Sequence, residues 1–350
     1  MKRNMRNNTG IVLIFACLFL PTGILCAGTE EPTSPDALIS RARRLEDIWT
    51  EGTPPMLMRA EIEVSSAQGA LVHGSYSLHW VSPSRWREEI RFDNYQRLRV
   101  RDAKGYWQTS ARNFQPVVIF QLDTLLRLTD ALRVAPKETL GRVKNRKQDG
   151  VRQICTELKS AAGTNRTMCF DESSGALASI EYPGGEHQNP PEISRIEYRA
   201  FTSVAGKLVP HEIRALKDGK VIAAVRVLEI AKITDENPSL FNAPAKAEFW
   251  AQCDDMKEAE PLVDSVRPRF PQSAKDNRES GRVILYLIIE ADGSLSKAEV
   301  IRGATPDLNA AALQAVRQWH FSPAACGPTP IRVEKSFYTD FVLEYEGRRR

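Results

Sequence analysis

The chain has 350 residues, 42% of them hydrophobic and 26% charged, with a formal net charge of +4. That length exceeds one typical domain and supplies apolar material for two cores, which excludes wholesale disorder; no low-complexity tract is present. The weak positive balance comes without the aromatic–basic signature of a nucleic-acid module, so no nucleic-acid partner is expected.

In chain order, Lys2, Arg3 and Arg6 precede an apolar run, Ile11 to Cys26, that ends in Leu25-Cys26-Ala27. A positive n-region, an apolar h-region and a small residue before a polar stretch describe a secretory signal peptide over 1–27, cleaved after Ala27. The run is about as long as the shortest membrane span, and Pro21 and Gly23 interrupt it. The alternative is an uncleaved inner-membrane anchor over 11–26. Leu25 is too large for a lipobox at Cys26, and Cys17 sits too early. The chain leaves the cytoplasm either way.

Residues 28–35, rich in Thr, Glu, Pro and Ser, read as a flexible segment before a domain over 36–244. Ala37 to Trp49 spaces Leu38, Ala42, Leu45 and Trp49 as an amphipathic helix. From Met56 the period becomes two: Tyr76, Leu78 and Trp80, then Ile90 and Phe92, then Leu98 and Val100 alternate with polar residues, as in half-buried antiparallel strands. Arg85, Arg87, Arg91, Arg97, Arg99 and Arg101 crowd these strands. They are expected on a solvated face, with an anionic ligand or membrane headgroups as the alternative. A second helix, Val117 to Leu132, carries Ile119, Leu122, Leu126 and Leu132. Strands resume at Leu140–Val143, Val151–Leu158, Asn165–Asp171, Leu177–Tyr182, Ile193–Phe201, Leu208–Leu216 and Val221–Ile233, the last two joined by the hairpin turn Lys217-Asp218-Gly219-Lys220. The expected fold is α+β, a strongly curved antiparallel sheet wrapped round its helices.

This element order, with Trp80-Val81-Ser82-Pro83-Ser84-Arg85-Trp86-Arg87 and the later Cys155 and Phe170-Asp171, resembles the LolA-like lipoprotein-localisation-factor superfamily. The resemblance implies a half-barrel over an apolar cavity closed by helices, which Tyr76, Trp80, Trp86 and Phe92 would line; the alternative is that they fill the core.

Export changes the meaning of the cysteines. Cys155, Cys169, Cys253 and Cys326 remain in the mature chain, and four allow three pairings. A hairpin centred near Ala162 would set Cys155 directly opposite Cys169, as a cross-strand bridge needs. That leaves Cys253 to pair with Cys326. A zinc site is disfavoured by the wide spacing, the lack of CxxC and the oxidising compartment.

Residues 245–262, with Pro and many charges, read as a linker into a second domain over 263–346. Arg267-Pro268-Arg269-Phe270-Pro271-Gln272-Ser273-Ala274 opens it. Arg282 to Ala291 is a strand apolar on both faces, suited to cover on one side and contact with other protein on the second. Asp292-Gly293 turns it into Ser294–Ile301. Thr305-Pro306-Asp307 starts a helix, with Thr as cap, that runs to His320. Trp319-His320-Phe321-Ser322-Pro323-Ala324 follows, and Ser336 to Tyr345 is a last strand. These features occur, in family order, as in the TonB energy-transducer C-terminal domain, with His320 where a basic residue is more usual.

That resemblance implies binding and no catalysis: a small three-stranded antiparallel sheet with helices on one face engages a short extended segment of a TonB-dependent outer-membrane receptor. Physically this is strand addition to an exposed edge. The expected edge is Phe337, Tyr338, Thr339, Asp340, Phe341, Val342 and Leu343; charges in and after it would otherwise blunt it. The location implied is the periplasm, and the role is associated with transmembrane transport. The partner is a receptor or another envelope protein, although such a domain can also pair with itself as a homodimer. The transducer couples to motor proteins through a membrane helix carrying a serine and a histidine, and Ile11–Cys26 holds neither. A linker of about twenty-five residues also cannot cross the periplasm. A carrier or sensor of lipid or lipoprotein cargo in the sheet cavity is the competing function. No G-x-S-x-G, H-E-x-x-H or phosphate loop is present, and His73, His79, His187, His211 and His320 form no ligand spacing, so neither enzyme activity nor a cofactor or metal is expected.

Overall fold

A computed structural model describes residues 34–65, 71–102, 104–110, 117–126, 131–134, 138–160, 165–182, 193–234, 237–251, 253, 256–262 and 266–343. The expected leader and most of the 28–35 segment lie outside them.

Helix α1 (Pro35–Glu46) begins two residues early, because Ser34 accepts a hydrogen bond from the Ala37 N–H and Pro35 fits the first helical position. It stops short of Trp49. Ile48 and Trp49 leave it to pack with Met56 and Val209. Strands β1 (Met56–Ser65), β2 (Leu71–Ser82), β3 (Arg85–Phe92), β4 (Tyr95–Arg101) and β5 (Gly105–Ser110) form a meander. Helix α2 (Val117–Leu126) follows, and Leu132 is buried beyond it.

The sheet resumes with β6 (Glu138–Leu140), β7 (Lys144–Gln148), β8 (Val151–Ser160), β9 (Arg166–Asp171), β10 (Leu177–Glu181), β11 (Arg195–Val204), β12 (Lys207–Lys217) and β13 (Lys220–Lys232). β13 returns beside β1, joining both halves into one antiparallel sheet of fourteen strands that also takes in the later β14 (Glu248–Ala251), in the order β14-β5-β4-β3-β2-β1-β13-β12-β11-β10-β9-β8-β6, with β7 also on β8. Asp218 and Gly219 both adopt positive φ in the β12–β13 turn, as a two-residue hairpin requires. Bulges in β1–β13, β12–β13 and β2–β3 add twist. The inner face carries Met58, Ala60, Ile62, Tyr76, Ile90, Phe170, Ile196 and Val225, buried in one core under Leu38, Ile39 and Ala42 of α1 and Ile119, Leu122 and Leu125 of α2.

The chain is thus mostly β, with helices playing a smaller part than an α+β label suggests. The polar strand β7 (Lys-Asn-Arg-Lys-Gln) has no apolar alternation to announce it. The expected linker is also structured. β14 (Glu248–Ala251) adds to β5 of the large sheet, whereas β15 (Met256–Lys257) pairs with β18 (Ala324–Cys326), which pairs with β19 (Thr329–Ile331). The linker is therefore a splice, one strand given to each side.

The C-terminal part contains the short helix α3 (Gln272–Asp276), β16 (Gly281–Ile289), β17 (Leu295–Arg302), α4 (Pro306–Val316) and β20 (Val333–Phe341), with sheet order β17-β16-β20. Leu308, Ala312 and Val316 of α4 pack on Val283, Leu285, Leu287 and Ile289. Thr305 precedes α4 but does not cap it by its side chain; its hydroxyl donates to Glu279 at 2.7 Å. At the Asp292-Gly293 turn a Cβ on Gly293, whose φ is 85°, would lie 2.1 Å from the Phe321 carbonyl oxygen. The Phe321 N–H donates to the Gly293 carbonyl, so this turn and the Trp319–Ala324 segment fix each other.

Candidate peptide-binding edge and its junction

β20 pairs in register with β16 from Gly281↔Phe341 to Ile289↔Val333, and among the described residues no strand pairs with its second edge. Phe337, Thr339 and Phe341 share the face covered by the helices. Phe337 meets Trp319 edge-on at 4.6 Å between ring centroids, and Phe341 meets Phe270 at 5.6 Å. The Trp319 indole N–H donates to the Val266 carbonyl at 2.6 Å. On the other face the Arg282 guanidinium grips both Asp340 oxygens at 2.7 Å and lies 4.4 Å over the Tyr338 ring. Of the residues expected at this edge, Phe337 to Phe341 lie in β20, while Val342 and Leu343 continue past it; Val342 is 70% exposed.

The start of β20 is engaged elsewhere. Glu334 accepts from the Tyr286 hydroxyl at 2.8 Å and from the Gln108 amide at 3.2 Å, and Gln108 belongs to β5 of the large sheet. The face of β16 turned away from the helices places Tyr286 and Ile288 against Trp250 of β14, with Tyr106 and Ile301 beside them. Trp250 and Tyr106 are register partners on the inner face of the large sheet, so the small sheet covers that face at its β14 end. Arg332 stacks 4.7 Å from the Trp250 ring centroid and reaches Glu248 at 3.3 Å and Glu290 at 3.2 Å. Burial first, then the Glu334 charge, raises the Tyr286 hydroxyl well above its ordinary range, which keeps it a neutral donor. The second apolar face of this strand thus contacts protein, and that protein is the same chain.

The expectation of a solvated arginine face fails for β4. Arg97, Arg99 and Arg101 are buried on the inner face. Arg97 makes two hydrogen bonds to Asp123 of α2, at 2.8 and 2.5 Å, and one to Glu88 at 3.1 Å. Arg99 donates to Asp123 at 3.2 Å and to Gln108 at 2.6 Å. Burial opposes the Arg97 charge, but Asp123 and then Glu88 hold it well above its ordinary value. Period-two alternation cannot say which face is inside. The usable signal was Asp123 itself, the one acid in Val-Val-Ile-Phe-Gln-Leu-Asp-Thr-Leu-Leu, which demands a buried cation. Arg91 is exposed, and Arg85 and Arg87 are half-buried.

The four aromatic residues suggested for a cavity are placed as follows. Tyr76 is buried and points its hydroxyl at Glu88, 3.4 Å away. Trp80 is buried against Trp49, 5.6 Å between centroids. Trp86, the partner of Trp80, is half-buried, and so is Phe92, which packs on the core. A recess of about 280 Å³ lies beside β17, lined by Leu295, Ser296, Lys297, Ala298 and Arg317. Beneath the end of α1, Glu46 accepts from the Leu177 N–H at 2.6 Å, and burial pushes its carboxyl up to about 8.

Cys155 and Cys169 stand directly opposite on β8 and β9 and are bonded; Cys253 and Cys326 are bonded as well, tying the splice to β18. Among the described residues no group of three His, Cys, Asp or Glu side chains could hold a metal, and no helix is long and apolar enough to cross a membrane.

Residues 266–343 match the family model described as Gram-negative bacterial TonB protein C-terminal. Over 80 residues the chain is 30% identical to Protein TonB of Vibrio cholerae serotype O1, a stretch that is 23% of this chain. The chain spans about a third of the length of that relative, 33%. Among solved structures, a putative outer membrane lipoprotein-sorting protein domain from Vibrio parahaemolyticus aligns at TM-score 0.38 and 12% identity, over 58% of this chain and 95% of that one. A LolA superfamily protein from Nitrosomonas europaea aligns at TM-score 0.37 and 13% identity, over 59% and 96%.

Proposed function

We propose that this is a periplasmic interaction protein of the cell envelope that captures extended segments of outer-membrane receptors, or of another envelope protein, by strand addition to β20. The observation that carries the reading is the sheet order β17-β16-β20, which gives β20 one strand partner among the described residues. The match of 266–343 to the TonB C-terminal model supplies the receptor chemistry, and two disulfides suit an oxidising compartment. Glu334 and Lys335 are held by the junction and by the Ala259 carbonyl, so the stretch offered is Ser336 to Leu343. An incoming strand there gains main-chain hydrogen bonds, with side chains alternating between the Phe337–Trp319–Phe270 face and the Tyr338–Asp340–Arg282 face.

Against the carrier reading stands the inner face of the large sheet, whose apolar side chains pack under α1 and α2 in one core. The test is isothermal titration of extended receptor peptides into the full chain. Phe341→Pro or Val342→Pro removes a backbone N–H near the edge and is expected to abolish capture. Unchanged binding by both variants would sink the assignment of the edge.

A further inference from the structure

We propose that the free edge of β7, at the far end of the large sheet from the C-terminal module, docks an acidic extended segment of a partner protein. Among the described residues β7 pairs with β8 alone, with Lys144 opposite Cys155 and Gln148 opposite Val151. Pairing on that edge of β8 is shared with β6, and the two strands are separated by Gly141, whose N–H donates to the Glu157 carbonyl. Among the described residues the outer edge of β7 therefore presents backbone donors and acceptors with no strand against them.

The charge along this edge is one-sided. From 142 to 152 the chain carries Arg142, Lys144, Arg146, Lys147 and Arg152 against the single acid Asp149. Arg146 is spent on Glu181, with contacts of 2.7 and 2.8 Å, and Arg152 on Glu172 at 2.8 Å. Arg142, Lys144 and Lys147 are exposed and have no ion-pair partner among the described residues. Strand alternation puts Lys144 and Arg146 on one face of the sheet and Lys147 on the other, so cations bracket the edge from both sides. A flat anionic membrane would meet one of those sides. A chain lying in the plane of the sheet meets both, and acidic residues at successive positions would each find a cation.

Lysines on an edge strand also discourage pairing with another copy of the same edge. The two effects are one mechanism: charge that repels a second basic strand selects an acidic one. This site is separate from β20, and its failure would leave the β20 reading untouched.

The experiment is fluorescence anisotropy on the full-length protein with a labelled twelve-residue peptide alternating Glu with Val and Thr, beside a control with Gln for every Glu. The acidic peptide is expected to bind and the Gln peptide not, with affinity falling as salt screens the exposed charges. Lys144→Glu/Lys147→Glu should weaken binding at least about tenfold, a difference of roughly 1.4 kcal/mol. Arg142→Glu, which lies off the strand, should weaken it less. Asn145→Pro or Arg146→Pro, whichever directs its N–H outward, should abolish it. Circular dichroism and a thermal unfolding midpoint unchanged in the variants establish that they fold. Equal binding of both peptides, binding indifferent to the charge reversal, or binding indifferent to both prolines would overturn the proposal. So would vesicles of anionic phospholipid that outcompete the peptide.

Discussion

The two helices that cover the inner face of the large sheet each bury one carboxyl group, and the two carboxyls live in opposite surroundings. Glu46 at the end of α1 and Asp123 in α2 are both 9% exposed. Asp123 is gripped by two arginines from β4, whereas Glu46 has no ion pair among the described residues and accepts only one backbone N–H. The first is paired with two guanidinium groups. The second is pushed by burial toward its neutral form, with its carboxyl raised to about 8. Depth of burial alone thus does not decide the charge of a buried acid; its partners do. The consequence reaches beyond the helices, since Arg99 also holds Gln108, and Gln108 holds Glu334 in β20. The seat of α2 is joined by hydrogen bonds to the C-terminal module, and among the described residues the seat of α1 is not.

The sharpest way to break this contrast is Asp123→Ala. It leaves Arg97 and Arg99 facing Glu88 alone, and the uncompensated buried charge should cost about 3–5 kcal/mol in thermal or urea unfolding. If the network also steadies the junction, hydrogen exchange in β14 and at the start of β20 should rise with it. Replacing the pair together, Arg97→Met with Asp123→Leu, should recover most of the loss, because a well-packed apolar pair avoids the desolvation cost. A loss under about 1 kcal/mol for Asp123→Ala would mean that water already solvates the arginines.

Glu46→Gln probes the other seat and should have the opposite sign. The folded-state value lies above the ordinary one, so the stabilisation from holding the proton is complete below about pH 4.5. It is lost as the pH rises through 8. Glutamine keeps the acceptor for the Leu177 N–H and never ionises. Wild type and variant should therefore unfold alike at about pH 4, and the variant should be more stable by about 2 kcal/mol at about pH 9, once relaxation and water access are allowed for. Equal stabilities at both values would show that the carboxylate is solvated in the fold.

The C-terminal half was more legible than the N-terminal half for a physical reason. Asp292-Gly293, Pro306-Asp307 and Trp319–Ala324 are local devices whose geometry follows from their own residues, and they appear in the structure in that order. The disulfide between Cys155 and Cys169 was legible in the same way, since a hairpin fixes its register. The arginines of β4 were not, because their partner Asp123 lies 24 to 26 residues away on another element. β14 was hidden for a related reason. Glu248–Ala251 is short and unremarkable in sequence, and becomes a strand only because the edge of β5 awaits it. The fate of β20 lies between these cases: its alternation announced a strand, while the engagement of Glu334 by Gln108 depends on a strand more than two hundred residues earlier.

The smallest expected effect concerns how α1 is tied to Leu132, beyond α2. Arg43 reaches over from α1 to the Leu132 carbonyl with its Nε at 3.0 Å and Nη2 at 2.6 Å, a fork that closes on a neutral oxygen. Arg43→Met keeps the apolar stem and loses both bonds, so stability should fall by about 1 kcal/mol. Arg43→Lys can offer one donor to the same carbonyl and should fall by roughly half as much. The Leu132 carbonyl carries no net charge, so losing these bonds is itself insensitive to salt. Arg43 also attracts the Asp47 carboxylate, an attraction that Arg43→Lys keeps and whose loss adds a small salt-dependent part to Arg43→Met. The loss of the two bonds should not vary between pH 5 and pH 9 either, where Glu46→Gln does. A strong salt dependence in Arg43→Met would mean that the attraction to Asp47 outweighs the two bonds to Leu132. The seat of α1 would then differ from that of α2 in degree and no longer in kind.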